Sequence, residues 1–255
     1  MKILLSPAKS LDEQSAYPDL SYTIPQFLKK TNQLARILKS WDVKDFSQIM
    51  KLSDTLAELN YERYQNWISP DKASRYRRPA IFSFTGEVYK GLNISTLAEE
   101  HYSTLNETVC ILSGLYGVLR PFDWMFPYRL EMGTKADFNG YRNLYGFWGT
   151  SIVQHLNKVE KSLIFNLASE EYFKAARLKE VKARVITPVF KDYKNGKPVI
   201  VMMYAKHQRG QFARFIIENP DLSTEECKLY KEDGYLYREE LSSENEWCFV
   251  RQVIT

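Results

Sequence analysis

Apolar and polar positions alternate along this chain in short runs, each closed by a turn residue, and the periods switch between strand-like and helix-like. Lys2–Leu5 is an apolar run of strand length stopped by Ser6-Pro7, and reads as a short buried strand. Thr23 and Pro25 open a predicted helix whose apolar face is Phe27, Leu28, Leu34, Ile37 and Leu38. Two more helices are predicted at 44–51 and 55–67, joined around Leu52-Ser53-Asp54. The basic bend Arg75-Tyr76-Arg77-Arg78-Pro79 leads into a predicted strand at 80–84, and a helix is expected at 95–104. Val109–Ser113 and 162–167 read as buried strands, with a helix at 145–159 between them. Ser169 is placed to cap the next helix, with Glu170 and Glu171 against its positive end. Asn195-Gly196 predicts a hairpin between strands at 184–190 and 199–204. A helix at 209–218 ends at Asn219-Pro220, and strands at 235–238 and 247–253 close the chain.

Early strands alternate with helices and later ones pair by hairpin, which argues for one α/β domain over residues 1–255. A mixed sheet flanked by helices is expected. No repeat, low-complexity tract or long polar linker interrupts it.

Residues 113–149 stand apart. They hold six of the eleven glycines, interleaved with Arg120, Arg129, Arg142 and aromatics from Tyr116 to Trp148. Cations beside flat rings and adaptable backbone suit an anionic, ring-bearing partner such as nucleic acid or nucleotide. The whole-chain charge adds little, because 35 Lys and Arg against 31 Asp and Glu leave only +4. The electrostatic case therefore rests on clustering. The hydrophobic run at the N-terminus is three residues long, too short for a signal-peptide core, and no segment approaches membrane-spanning length. Three dispersed cysteines (Cys110, Cys227, Cys248) fit reduced thiols in the cytoplasm. Three dispersed histidines (His101, His155, His207) lack the spacing of a metal site, and neither metal nor cofactor is expected.

Three constellations could carry chemistry. Ser6-Pro7-Ala8-Lys9-Ser10-Leu11-Asp12 follows the first strand, where α/β sheets commonly place ligands. Lys9 there could bind phosphate or act as a nucleophile, although a turn with a solvated lysine accounts for the motif as well. In Tyr128-Arg129-Leu130-Glu131-Met132-Gly133 an extended chain puts Arg129 and Glu131 on one face, as an ion pair or as joint ligand contacts. Pro121 and Pro127 set rigid turns that could let Arg120 and Arg129 converge on one pocket. Lys206 and Arg209 sit at a strand-to-helix junction that would suit an anion, or simply form a solvated basic helix start.

Taken together, the segments SPAKSLD, SGLYGVLRPFDWMFPYRLEMG, LYGFWG, NLASEEYFK, AKHQRGQFARFIIEN and DGY resemble the YaaA family of bacterial peroxide-stress proteins, in order and over essentially the whole chain. The resemblance implies a cytoplasmic protein that limits hydrogen peroxide damage by keeping unincorporated iron low. It also implies DNA binding through a positively charged cleft and a helix-hairpin-helix element. Within the matching motifs Lys9, Arg120, Arg129, Lys206 and Arg209 are the cleft candidates. The helical hairpin is assigned to 44–67, although its turn lacks the usual glycines, and the Gly114–Gly117 turn to the cleft floor.

Two functions follow. In the first the protein binds DNA without turnover, selecting structure rather than sequence, because no base-reading helix is evident. In the second it is a nucleobase- or nucleotide-processing enzyme of glycosylase or lyase type, with Lys9 as nucleophile and Asp12 or Glu131 as acid or base. Direct iron binding is disfavoured by the scattered histidines and cysteines.

Overall fold

Lys2–Leu5 forms β1 in the computed structural model, which describes residues 1–251. Three helices follow: α1 (Leu28–Lys39), α2 (Val43–Met50) and α3 (Asp54–Gln65). A short strand β2 (Arg78–Pro79) runs into the single turn α4 (Ala80–Ser83), then α5 (Glu87–Leu92) and α6 (Tyr102–Thr108). Next come β3 (Val109–Ser113), β4 (Gly117–Leu119), β5 (Trp124–Met125), α7 (Leu144–Trp148), α8 (Ser151–Val159), β6 (Leu163–Asn166) and α9 (Glu170–Ala175). The chain continues through β7 (Arg184–Lys194), β8 (Lys197–Val199), α10 (Met202–Glu218), β9 (Tyr235–Tyr237) and β10 (Glu246–Arg251).

The architecture is a mixed α/β fold built on an eight-stranded sheet in the order β4-β3-β1-β6-β7-β10-β9, with β8 added to β7. The contacts β3–β1, β1–β6, β6–β7 and β7–β10 are parallel, and the flanking pairs are antiparallel. Central strands β3 and β6 are buried throughout, as is β1 beyond Lys2. Strands covered on both faces read as continuous apolar runs rather than alternations, which is why the sequence announces them.

Elsewhere tertiary contacts overrule local pattern. The strand expected at 80–84 is the helical turn α4: the Ala80 and Ile81 amides donate to the Asp123 and Pro121 carbonyls (both 2.9 Å). A short apolar run has no period to separate strand from buried helix. The hairpin at Asn195-Gly196 is present, but its second strand stops at Val199 and α10 takes residues 202–204, which are exposed, so the helix starts about two turns before Arg209. The helix expected at 145–159 is broken at Gly149, whose φ of +51° divides α7 from α8. The helix expected at 95–104 is two 3-10 turns, and α6 forms only afterwards. Of the strand expected at 247–253, positions 252 and 253 lie outside the described residues.

The segment 44–67 is a helical pair, α2 and α3, opened by a reciprocal Asp42–Asp45 capping box. Its connection contains no glycine. Lys51 occupies the left-handed position (φ +53°) and the Leu52 amide donates to the Ser47 carbonyl at 3.1 Å. The Gly114–Gly117 turn is buried, with Gly114 packed on the Leu130 carbonyl, so it supports the wall bearing Leu130 from behind and forms no cleft floor.

Candidate functional site

Strands β1 and β6 lie side by side and parallel, yet the chain leaves them in opposite directions, from β1 towards β3 and from β6 towards β7. Such a divergence opens a crevice beyond the carboxyl ends of the strands. A cavity of about 440 Å³ occupies it, with Ser6–Ser10 after β1 on one side and Leu167–Glu171 after β6 on the other. Ser6 joins the two loops: its Oγ accepts from the Ser169 amide (2.8 Å) and donates to Ser169 Oγ (3.2 Å). Ser169 thus holds the helix-capping position without making a side-chain cap, its hydroxyl turned instead to Ser6.

The loop after β1 is clamped from a third side. Residues Leu11 and Phe84 form an antiparallel bridge, the Thr85 amide donates to the Ser10 carbonyl (3.1 Å), and the Asp12 amide donates to the Ser83 carbonyl (2.7 Å). Asp12 does not reach the cavity. Its Oδ1 accepts from the Gln14 and Ser15 amides (2.8 and 2.9 Å). Hydrogen bonding from Ser15, through its hydroxyl and then its amide, holds the Asp12 carboxyl down at about 2. A turn-locking carboxylate of this kind is a poor proton donor at neutral pH, which corrects its candidacy as an acid.

Tyr128–Glu131 forms the facing wall, and there Arg129 and Glu131 take the ion-pair alternative. Glu131 Oε1 meets Arg129 Nη2 at 3.1 Å while Oε2 meets Lys9 Nζ at 2.9 Å. The Lys9 side chain remains 63% exposed, so it lacks the desolvation that makes a lysine nucleophilic. Arg129 is the opposite case, its side chain 17% exposed and its buried Nε without a hydrogen-bond partner. The Tyr64 hydroxyl of α3 donates to the Arg129 carbonyl (3.3 Å) and fixes that wall to the helical pair.

Helix α10 supplies Lys206 and Arg209 one turn apart, both lining the cavity. Neither makes a salt bridge or side-chain hydrogen bond among the described residues. Arg209 is half-buried, and burial pulls its pKa below the ordinary arginine value, although a guanidinium stays charged at neutral pH. Of the cavity's carboxylates, Glu131 and Glu87 are paired with cations. Glu87 binds Lys90 (2.7 Å), which with His207 and Lys206 nearby holds it below the usual range, and Glu171 accepts from the Gly133 amide (2.8 Å). Arg209 and Lys206 are thus the lining cations without a salt bridge among the described residues, with the Glu171 carboxylate as the lining anion that no cation pairs. Edges of Tyr89, Tyr128 and Tyr172 complete an apolar wall; these rings are buried, and burial pushes all three phenols up.

Four of the five candidate cations thus meet at one cavity, and Arg120 does not. Its Nη2 and Nε bind Asp123 Oδ1 (2.9 and 3.2 Å), its amide donates to Asp123 Oδ2 (2.8 Å), and Nη2 also reaches the Ile24 carbonyl (3.3 Å). Asp123 is buried and also accepts from Thr23 Oγ1 (2.6 Å), so Arg120 is the counter-ion of a structural carboxylate. Sequence reasoning missed residues 85–89 of the cavity wall. The signal available was Gly91 and Gly210 inside helical pattern, a mark of close helix approach. Among the described residues no group of three or more His, Cys, Asp or Glu side chains is placed to hold a metal ion, and no helix is long and apolar enough to cross a membrane.

The family model described as peroxide stress protein YaaA matches residues 1–241 of the chain. A UPF0246 protein of Idiomarina loihiensis is 43% identical over 255 residues, covering 98% of each chain. A UPF0246 protein of Flavobacterium psychrophilum is 42% identical over 98% of this chain and 100% of its own. A UPF0246 protein of Aliivibrio fischeri is 42% identical over 99% of this chain and 98% of its own.

Proposed function

Because this chain belongs to the peroxide stress protein YaaA family, we propose that it serves that stress response by binding DNA at the cationic cavity. The observation that carries the reading is the meeting of Lys9, Arg129, Lys206 and Arg209, remote in sequence, around one concavity in which two of the four make no salt bridge among the described residues. Exposed Lys9 and Lys206 sit on the rim, where they neutralise backbone phosphates, and DNA structure rather than base sequence governs affinity. Acting in the cytoplasm, the protein limits oxidative damage linked to free iron through its hold on DNA, with the iron effect indirect.

Fluorescence anisotropy with single-stranded, duplex and junction DNA tests this. For single strands the salt slope is expected near −3, about 0.7 per phosphate for four cations. Lys9→Ala with Lys206→Ala is expected to reduce that slope by about 1.4 by the same rule. An affinity indifferent to salt excludes the mechanism. A second reading, lyase-type chemistry on a nucleotide, takes Glu131, 2.9 Å from Lys9 Nζ, as the base and requires a bound nucleotide to supply the desolvation that the exposed lysine lacks. Borohydride trapping of a Lys9-dependent adduct on abasic DNA is its test.

A further inference from the structure

The rim cations and the interior cations of this cavity differ in kind. Lys9 and Lys206 are wet, whereas the guanidinium groups of Arg129 and Arg209 are drawn inward, one with an orphaned Nε and the other without a salt bridge among the described residues. Holding an unpaired charge in a half-buried site opposes folding, and such a group is maintained where an incoming anion completes it. The space beside it is small. About 440 Å³ falls in the roughly 300–1,000 Å³ range of single-ligand pockets and cannot admit a duplex, whose major groove alone is about 12 Å wide.

The rest of the lining is complementary to what adjoins a phosphate in a nucleotide. Val88, Leu167 and the edge of Tyr172 offer an apolar surface to a flat ring. The Ser6–Ser169 hydroxyl pair provides donors and acceptors, and Glu171 Oε1 already takes the Gly133 amide, leaving its other oxygen as an acceptor. Resting on the DNA-binding reading above, we propose that the cavity is the seat of one unstacked nucleotide, its phosphate on Arg209 and Arg129 and its base and sugar against the interior wall. Double-stranded regions then lie outside on the lysine rim, and one nucleotide drawn out of the stack enters, which is easiest at single-stranded, mismatched or damaged positions.

Calorimetry on the full chain with the four nucleoside 5′-monophosphates, the nucleosides and inorganic phosphate tests the seat. At least one monophosphate is expected to bind one-to-one, tenfold or more tightly than its nucleoside and than inorganic phosphate, and to compete with single-stranded DNA. Arg209→Gln is expected to weaken it at least tenfold with the fold intact by circular dichroism. Ser169→Ala, which leaves the cations in place, is expected to weaken the monophosphate but leave inorganic phosphate unchanged. Equal binding of inorganic phosphate and every monophosphate overturns the nucleotide seat, as does the absence of any monophosphate binding. Salt-dependent DNA binding that persists without monophosphate binding defeats this inference alone. Monophosphate binding without DNA binding defeats the DNA reading and leaves the seat standing.

Discussion

Gly91 of α5 and Gly210 of α10 meet where the two helices cross, so closely that neither position has room for a side chain. A Cβ on Gly91 would overlap the His207 carbonyl, and one on Gly210 would overlap the Val88 carbonyl and come within 2.6 Å of the Leu92 amide nitrogen. The obstructing atoms are backbone, so relief requires the helices to part. This crossing sets Lys206 and Arg209 against Val88, and therefore shapes the cavity. Gly210→Ala is expected to destabilise the protein by about 3 kcal/mol in urea denaturation, the upper end of the usual overpacking range. DNA binding should fall with it, although residue 210 lines nothing itself; a variant of wild-type stability would show that the helices are not locked there.

Arg209 has the reverse signature. Replacing a half-buried, unpartnered guanidinium by an apolar side chain removes a desolvated charge, so Arg209→Leu is expected to raise stability by about 1 kcal/mol while abolishing anion binding. Thermal melts and anisotropy on the same preparation check both halves. Loss of stability together with loss of binding would mark Arg209 as a scaffold residue.

Glu131 neutralises Lys9 and Arg129 at once, and an incoming phosphate must compete with it. Glu131→Gln keeps the shape and removes the charge. Tighter DNA binding at low salt is expected, about tenfold for a gain near 1.4 kcal/mol, shrinking as salt rises. Arg120→Ala serves as the contrast, since its partner is Asp123: stability should drop while the salt slope for DNA stays unchanged.

His155 gives the fold a pH dependence. Burial first, then the nearby positive charges of Arg120, Lys158 and Lys2, lower its pKa from 6.5, and its ring lies 5.7 Å from that of Phe27. The unfolded chain therefore takes up the proton more readily than the folded one. The stabilisation is complete above pH 6.5 and is lost as the pH falls towards the lowered folded value. Urea midpoints between pH 7.5 and 5.5 should decline in the wild type and decline less in His155→Gln.

All three cysteines are buried, and burial pushes the Cys110 and Cys227 thiols up to about 11 and Cys248 upward as well. Peroxide attacks the thiolate, so these groups are shielded both by access and by protonation. Native protein exposed to hydrogen peroxide is expected to keep three free thiols by mass spectrometry, with labelling by a thiol reagent only on unfolding. Rapid formation of a sulfenic acid in the native protein would make the chain a direct peroxide sensor.

How far the sequence reaches is clearest from particular residues. Strands β1, β3 and β6 were legible because a strand buried on both faces must be apolar at nearly every position, and the Asn195-Gly196 hairpin because few residues accept its backbone angles. The common face of Arg129 and Glu131 was legible from their two-residue spacing, while the choice of an ion pair over joint ligand contacts was not. The turn at Ala80–Ser83 was not legible, since the carbonyls that hold it, of Pro121 and Asp123, come from a remote segment.

By itself, then, the chain specified its α/β class, its central strands and the chemistry of its cations, all consequences of local pattern and side-chain type. Only the tertiary structure decided that Lys9, Arg129, Lys206 and Arg209 share one cavity while Arg120 answers to Asp123. The physical reason is that a charge acts through its neighbours in space. Those neighbours are fixed by the divergence of the chain at β1 and β6 and by the glycine crossing of α5 and α10, long-range relations that no short window of sequence contains.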